Sequence, residues 1–119
     1  MAVFDSAILD IDPVPGSDDF NVVVHGAITN FSNDERGTTA QLECDILGDA
    51  PILNDRLFYM DSGNFILEGF LVPFNRQKRV SRRDLNEDII GRDEIVGRLT
   101  LRNLTNGDVI RKRTNVVQI

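Results

Sequence analysis

Apolar and polar residues alternate along this chain in short stretches that turn-forming residues separate. In the clearest stretch, 38–47, the apolar positions fall on every second residue: Ala40, Leu42, Cys44 and Ile46. A period of two is typical of a β-strand with one buried face. Comparable stretches predict six more strands, over residues 3–11, 20–31, 56–60, 65–74, 94–104 and 108–117. The pattern therefore predicts an all-β protein of seven antiparallel strands.

Strands of this number and spacing resemble an immunoglobulin-like or fibronectin-like β-sandwich. The resemblance is one of architecture only, because the chain has one Cys and no Trp and so lacks the paired cysteines and buried Trp of those families. A small barrel with the same strand count is the alternative. A length of 119 residues predicts a single domain over residues 1–119.

The connections are predicted to alternate between the two ends of the sandwich. Tight turns at 33–37, 61–64 and 106–107 fall at one end, and longer loops at 12–19, 48–55 and 75–93 fall at the other. Asn106 and Gly107 are typical of a two-residue type I′ turn. Ser81 and Asp84 resemble a capping box, which predicts one short helix within the 75–93 connection. Long loops on a rigid scaffold often carry function, so we expect the working surface at their end.

Charge is divided unevenly along the sequence. Residues 1–75 contain two cations and thirteen carboxylates, whereas residues 76–119 contain eleven cations and six carboxylates, within a net charge of −6. Such asymmetry indicates a complementary partner, which is either the other half of the fold or another molecule. A head-to-tail homo-oligomer is one expected outcome.

The densest cationic segment lies in the predicted long connection and holds Arg76, Lys78, Arg79, Arg82 and Arg83. Like charges this close repel one another, so an anionic group is expected nearby. Arginine binds carboxylate and phosphate through two parallel hydrogen bonds. Two interpretations stay open: the segment is neutralised within the chain, or it is a docking surface for an acidic partner or a phosphate-bearing ligand. Nucleic acid is disfavoured, because no aromatic residue is interleaved for base stacking.

A second group of arginines is predicted on the outward face of the last two strands: Arg98, Arg102, Arg111 and Arg113. A two-residue turn at 106–107 places Arg102 opposite Arg111, which is unfavourable for like charges. If the third strand lies beside the sixth, its outward Glu43 and Asp45 would neutralise Arg98 and Arg102. The alternative is an arginine-lined interface with an acidic face of another chain.

Oxygen-rich loops offer weak candidates for a Ca²⁺ site: Asp12, Asp18, Asp19, Asp49 and Asp55. The single His25 excludes a site built from several histidines of one chain. Cys44 lies on the apolar face of its strand, which predicts a buried and unreactive thiol. No phosphate-binding glycine loop or nucleophile elbow is present, so we predict no cofactor and no enzymatic activity.

The lone Cys favours a reducing compartment, and no apolar run approaches the ~20 residues of a membrane helix. We therefore expect a cytoplasmic protein without membrane association. The predicted function is a non-enzymatic binding or assembly module that docks to an acidic or complementary protein through its arginine-rich surfaces. The alternative is a small-ligand or Ca²⁺-dependent binding domain that uses the three longer loops.

Overall fold

The computed structural model describes residues 1–48, 55–85 and 94–119, except for the side chains of Asp55, Asp61 and Ser62. The strands are β1 (Val3–Pro13), β2 (Asp19–Thr29), β3 (Thr39–Gly48), β4 (Asp55–Ile66), β5 (Leu71–Ser81), β6 (Glu94–Asn103) and β7 (Val109–Gln118), and the short helix α1 (Arg82–Leu85) follows β5. The protein is nearly all-β, as predicted. Among the described residues, no helix is long and apolar enough to cross a bilayer.

The strands form two antiparallel sheets that pack face to face. One sheet has the order β1-β2-β5 and the other has the order β4-β3-β6-β7. Their apolar faces share one core, in which Leu9, Val24, Leu42, Ile46 and Leu99 are at most 1% exposed. Burying an aliphatic side chain of this size stabilises the fold by about 1.5–3 kcal/mol. The predicted β-sandwich is therefore confirmed, and the small barrel is wrong.

Strand β3 follows the predicted alternation, and its thiol lies in the core. Cys44 is 1% exposed. Burial raises the pKa of this thiol to about 12; the neighbouring Asp45 carboxylate adds to the rise and Arg76 opposes it. The predicted burial of Cys44 is confirmed, and the raised pKa leaves almost no thiolate at neutral pH.

A side-chain amide joins β1 to β7 along one long side of the sandwich. Asn115 Oδ1 accepts a hydrogen bond from the Leu9 N–H at 2.8 Å, and Asn115 Nδ2 donates to the Leu9 carbonyl at 3.1 Å. The register of β6 and β7 shifts between Val96 and Arg98, as a bulge produces. At this bulge the Thr114 hydroxyl accepts a hydrogen bond from the Gly97 N–H at 2.8 Å. The amide of Asn115 thus joins the two sheets at β1 and β7, next to the bulge between β6 and β7.

A buried carboxylate organises the end of the sandwich that carries the connection between β2 and β3. Glu35 is 6% exposed, and it accepts hydrogen bonds from the N–H groups of Ala2 and Ser32 at 3.0 and 3.1 Å. Burial alone would raise the pKa of Glu35, but the hydrogen bonds from Ser32 and Ala2 outweigh it and lower the pKa. The ionised carboxylate therefore ties the start of β1 to this turn.

The predicted turn at 61–64 is wrong. Strand β4 continues through these residues to Ile66, and the chain reverses at 67–70, where Gly69 has a φ of +69°. Gly63 is not a turn residue; it lies within β4, beside the Arg76 side chain. A Cβ at Gly63 would lie 2.6 Å from Arg76 Nη2. The predicted strands 56–60 and 65–74 are replaced by the longer β4 and by β5.

The last hairpin is shifted by two residues from its predicted register. Arg102 lies opposite Val109, and Arg111 lies opposite Thr100. The predicted pairing of Arg102 with Arg111 is therefore wrong, and so is their direct cross-strand repulsion. Arg98 does face a like charge, because it lies opposite Arg113.

The shift follows from the polar side chain that ends β6. Asn103 Oδ1 accepts hydrogen bonds from the N–H groups of Thr105 and Asn106 at 2.9 and 3.1 Å, which stabilises a four-residue loop over 104–107. Gly107 has a φ of +83°, as predicted for a left-handed residue. Asn106 does not have a positive φ, so the turn is not type I′.

We expect Glu35→Gln to lower the free energy of unfolding at neutral pH by about 1–3 kcal/mol, because it replaces a hydrogen-bonded buried carboxylate. The folded-state pKa lies below the ordinary value of 4.5, so the ionised group stabilises the fold above that pH. This contribution is lost as the pH falls through the lowered pKa. The difference between the natural protein and the variant should therefore narrow on acidification.

Urea denaturation of both proteins at about pH 7 and about pH 3 measures this difference. Glu68→Gln is the matched control, since Glu68 is exposed and its replacement should change stability by less than about 0.5 kcal/mol. A difference between the natural protein and Glu35→Gln that is the same at both pH values would contradict the assignment.

Candidate docking surfaces

The first group of cations lies on a strand and a helix. Arg76, Lys78 and Arg79 belong to β5, and Arg82 and Arg83 belong to α1. We name these five residues the basic edge. The prediction that the loop begins at residue 75 is wrong, because β5 continues to Ser81. Residues 86–93 of that predicted loop lie outside the described residues.

Lys78 reaches from β5 across the side of the sandwich to β4. Its side chain projects from the same face of β5 as the buried Val80. Lys78 Nζ donates a hydrogen bond to the Tyr59 carbonyl at 3.3 Å and lies 5.3 Å from the centre of the Phe58 ring. The ammonium group thus lies over a carbonyl and an aromatic ring of an edge strand, and it stays exposed.

Arg76 occupies the neighbouring position on the same face of β5. Its guanidinium group lies against Gly63 of β4, and a Cβ at Gly63 would require this flexible group to move. Arg76 Nη1 donates a hydrogen bond to the Asn75 carbonyl at 3.3 Å. The charge is close enough to the core to act on the Cys44 thiol, whose pKa is raised first by burial and then by Asp45, and lowered by Arg76.

The remaining cations of the basic edge lie near the loop between β1 and β2. Arg79 Nε forms an ion pair with Asp19 Oδ2 at 2.8 Å, and the Arg82 guanidinium lies 5.6 Å from the centre of the Phe20 ring. Arg82 and Arg83 line a shallow depression together with Asp18 and Ser81. Neutralisation within the chain is therefore established for Arg79.

Among the side chains that the structure describes, which do not include those of Asp61 and residues 86–93, no carboxylate lies within 4.0 Å of Arg76, Lys78, Arg82 or Arg83. The nearest acidic residue in sequence is Asp84, and it serves another purpose. Asp84 Oδ2 accepts a hydrogen bond from the Ser81 N–H at 3.2 Å, and the Asp84 N–H donates to Ser81 Oγ at 3.4 Å. This capping box confirms the predicted helix start, and Asp84 does not pair with any of the four cations.

The second group, Arg98, Arg102, Arg111 and Arg113, lies on β6 and β7. We name it the arginine face. Strand β3 lies beside β6, and Asp45 is opposite Arg98 while Glu43 is opposite Thr100. Arg98 Nη2 lies 3.0 Å from Asp45 Oδ2, and this carboxylate is 9% exposed. The expected neutralisation of Arg98 by Asp45 is therefore present.

A third arginine supports Asp45 from β4. Arg56 Nη1 lies 3.8 Å from Asp45 Oδ1, and the Arg56 guanidinium lies 3.7 Å from the centre of the Tyr59 ring. Among the described residues, Asp45 Oδ1 is a buried side-chain oxygen without a hydrogen-bond partner. Asp45 is thus held between two cations, Arg98 of the arginine face and Arg56 of β4.

The two cationic surfaces lie on different sides of the sandwich. Strand β5 is an edge of its sheet on the side of β4, whereas β7 is an edge on the side of β1. The basic edge and the arginine face are therefore two separate surfaces.

The described part of the chain does not bring the Ca²⁺ candidates into a metal cluster. Asp12 and Asp18 are exposed, and Asp19 is paired with Arg79. Asp49 and the side chain of Asp55 lie outside the described residues. In the part that the structure describes, no three His, Cys, Asp or Glu side chains lie close enough together to hold a metal ion.

Sequence reasoning missed the part that β4 takes in the basic edge. Phe58, Tyr59 and Gly63 receive the side chains of Lys78 and Arg76. The sequence did contain a second candidate for the turn before β5, because Gly69 follows Gly63 and is also a typical turn residue. A turn at Gly69 lengthens β4 and places it beside the cations.

No protein-family model and no curated protein matches this chain. Solved structures do match. One is Bacteroides uniformis β-glucuronidase 2 covalently bound to cyclophellitol-6-carboxylate aziridine, and another is Bacteroides uniformis β-glucuronidase. Each has a TM-score of 0.68 and 15% identity, and each match covers 98% of this chain and 13% of the other. At this identity the likeness shows a shared β-sandwich fold.

We expect Arg98→Ala to lower the free energy of unfolding by about 1–3 kcal/mol, because the buried Asp45 carboxylate loses its closest charged hydrogen-bond donor. Arg102→Ala, on the same face of β6, is the control and should change stability by less than about 0.5 kcal/mol. Urea denaturation measures both. An equal loss of stability in the two variants would show that the ion pair of Arg98 with Asp45 does not stabilise the fold.

Proposed function

We propose that this chain is a non-enzymatic docking module that binds an acidic protein partner through the basic edge. One observation carries the proposal: four of its five cations have no carboxylate within 4.0 Å among the described residues. The repulsion among these cations is relieved when a partner supplies carboxylates.

The environment of the cations supports binding of carboxylates. Lys78 lies near the Phe58 ring and Arg82 near the Phe20 ring, so both long side chains rest on apolar surfaces. Side chains held in this way lose less conformational entropy when they form an ion pair. The net charge of −6 disfavours general binding to nucleic acid, so an acidic protein segment is the partner that we favour.

We propose an immunoglobulin-like architecture for the sandwich, in which β4 belongs to the sheet of β3. In the β-glucuronidases a sandwich of similar fold accounts for 13% of the chain. The fold thus occurs there as a small part of a larger protein, which supports an accessory role.

The second candidate is a small-ligand or Ca²⁺-dependent binding domain at the longer loops. The shallow depression lined by Asp18, Arg82 and Arg83 supports a small-ligand site at this end of the sandwich. Calcium titration with a thermal-shift readout distinguishes the two functions. Stabilisation by several degrees at micromolar Ca²⁺ would favour this candidate over the docking module.

The docking module should bind poly-L-glutamate at low salt, and the binding should fall steeply as the salt concentration rises toward ~1 M. The double variant Arg82→Glu/Arg83→Glu should bind about tenfold more weakly or worse. The control Arg111→Glu/Lys112→Glu changes two exposed cations of β7 and should bind within about threefold of the natural protein. Isothermal titration calorimetry measures all three proteins. Absence of binding at low salt, or equal weakening by both variants, would overturn the proposal.

Self-association is expected if a second copy supplies the acidic partner. Light scattering at low salt should then report a mass above that of one chain, and at ~1 M salt the mass should fall to that of one chain. A single-chain mass at high protein concentration in low salt would show that the partner is a different protein.

A further inference from the structure

We infer that the partner binds β5 as an added antiparallel β-strand that carries carboxylates at alternate residues. This inference rests on the proposed function and specifies the form of the partner. Three observations support it: β5 is a sheet edge, its free backbone groups can be identified, and its cations alternate along the strand.

Strand β5 has a strand neighbour on one side only. Within the described residues it pairs with β2, and no strand pairs with its other side. In immunoglobulin constant domains, the sheet that contains the first, second and fifth strands has a fourth strand at this edge. Here β4 belongs to the opposite sheet, so among the described residues no strand takes that place beside β5. Addition of a strand to an exposed edge is a recurrent mode of peptide recognition.

The hydrogen bonds of Asn115 show which backbone groups face this edge. Asn115 binds the N–H and C=O of Leu9, which therefore face away from β2. Leu9 lies opposite Val24, and Val24 lies opposite Arg76. Since antiparallel pairs alternate, the backbone groups of Val24 face β5 and bond with those of Arg76. The backbone groups of the next residues along β5, Asn75 and Gln77, must then face the open edge.

Independent contacts on the same alternate residues agree with this assignment. The Asn75 carbonyl accepts a hydrogen bond from Arg76, and the Ser81 N–H donates to Asp84. Pro73, which has the same parity, has no N–H to leave unpaired. Among the described residues, the N–H and C=O groups of Gln77 and Arg79 are therefore directed to the edge without a strand partner. They can form the ladder with an added strand.

The charges of β5 select an acidic strand. Arg76 and Lys78 lie two residues apart on one face, so an added strand meets them with residues that are also two apart. Carboxylates at those two positions are favourable, and the β5 strand of a second copy is repelled. Cations on an edge strand can also serve only to prevent the edges of two molecules from pairing. The experiment below distinguishes this role from binding of an acidic strand.

The antiparallel geometry predicts which atoms of the partner are essential. Residues opposite Arg76 and Lys78 have backbone groups that face away from β5, because those two residues bond with β2. The intervening residues, opposite Gln77 and Arg79, have backbone groups that face β5. Carboxylates and backbone donors therefore come from alternate residues of the partner strand.

The probe is a fluorescent nine-residue peptide with glutamate at alternate positions and threonine between them, titrated at low salt by fluorescence anisotropy. N-methylation of the threonines should weaken binding at least about tenfold, because it removes the N–H groups that face β5. N-methylation of the glutamates should leave the affinity within about threefold. Lys78→Glu should weaken binding about tenfold, and Lys112→Glu, on the edge strand β7, should not.

Amide hydrogen exchange gives a readout that does not depend on charge. In the free protein the amides of Gln77 and Arg79 should exchange quickly, and the peptide should slow them at least about tenfold. The amides of Arg76 and Lys78 are bonded to β2 and should be protected before and after binding.

Binding of both methylated peptides with equal affinity, without protection of Gln77 and Arg79, would overturn the added strand and leave docking by charge intact. Loss confined to the glutamate-methylated peptide would overturn the placement of the carboxylates opposite Arg76 and Lys78, because the glutamate N–H groups would then face β5. No binding of any acidic peptide would show that the cations only guard the edge, and it would overturn the proposed function as well.

Discussion

The two sheets must be held together along both long sides, and the molecule does this in two different ways. On the side of β1 and β7, the amide of Asn115 binds both backbone groups of Leu9 and occupies that edge. On the side of β4 and β5, Lys78 and Arg76 reach across from one edge strand to the other. The first side is closed by a neutral group, whereas two cations lie along the second. The candidate site is a consequence of this difference.

Where burial dictates the side chains, the sequence was sufficient. Leu42, Cys44 and Ile46 can only alternate because one face of β3 fills the core, so the strand and the buried thiol were predictable. The start of α1 was predictable for a local reason, since Ser81 and Asp84 satisfy each other's backbone groups. The position of Asp45 opposite Arg98 followed from the sandwich architecture and the alternation of β3.

The rest depended on contacts between residues distant in sequence. Strand β5 is an edge strand whose inner face holds Arg76 and Lys78, so its sequence lacks apolar alternation and resembles a loop. Gly63 lies beside the Arg76 guanidinium, and nothing local distinguishes it from a turn glycine. The register of the last hairpin was set by the side chain of Asn103, which outweighed the preference of Asn106 and Gly107.

The burial of Cys44 makes the chain its own reporter of local opening. A thiol with a pKa of about 12 in the centre of β3 reacts with a labelling reagent only when the strand leaves the core. Because β3 lies between β4 and β6, that event separates two pairs of strands at once. The labelling rate of this single thiol therefore measures how often the four-stranded sheet opens, without the introduction of any probe.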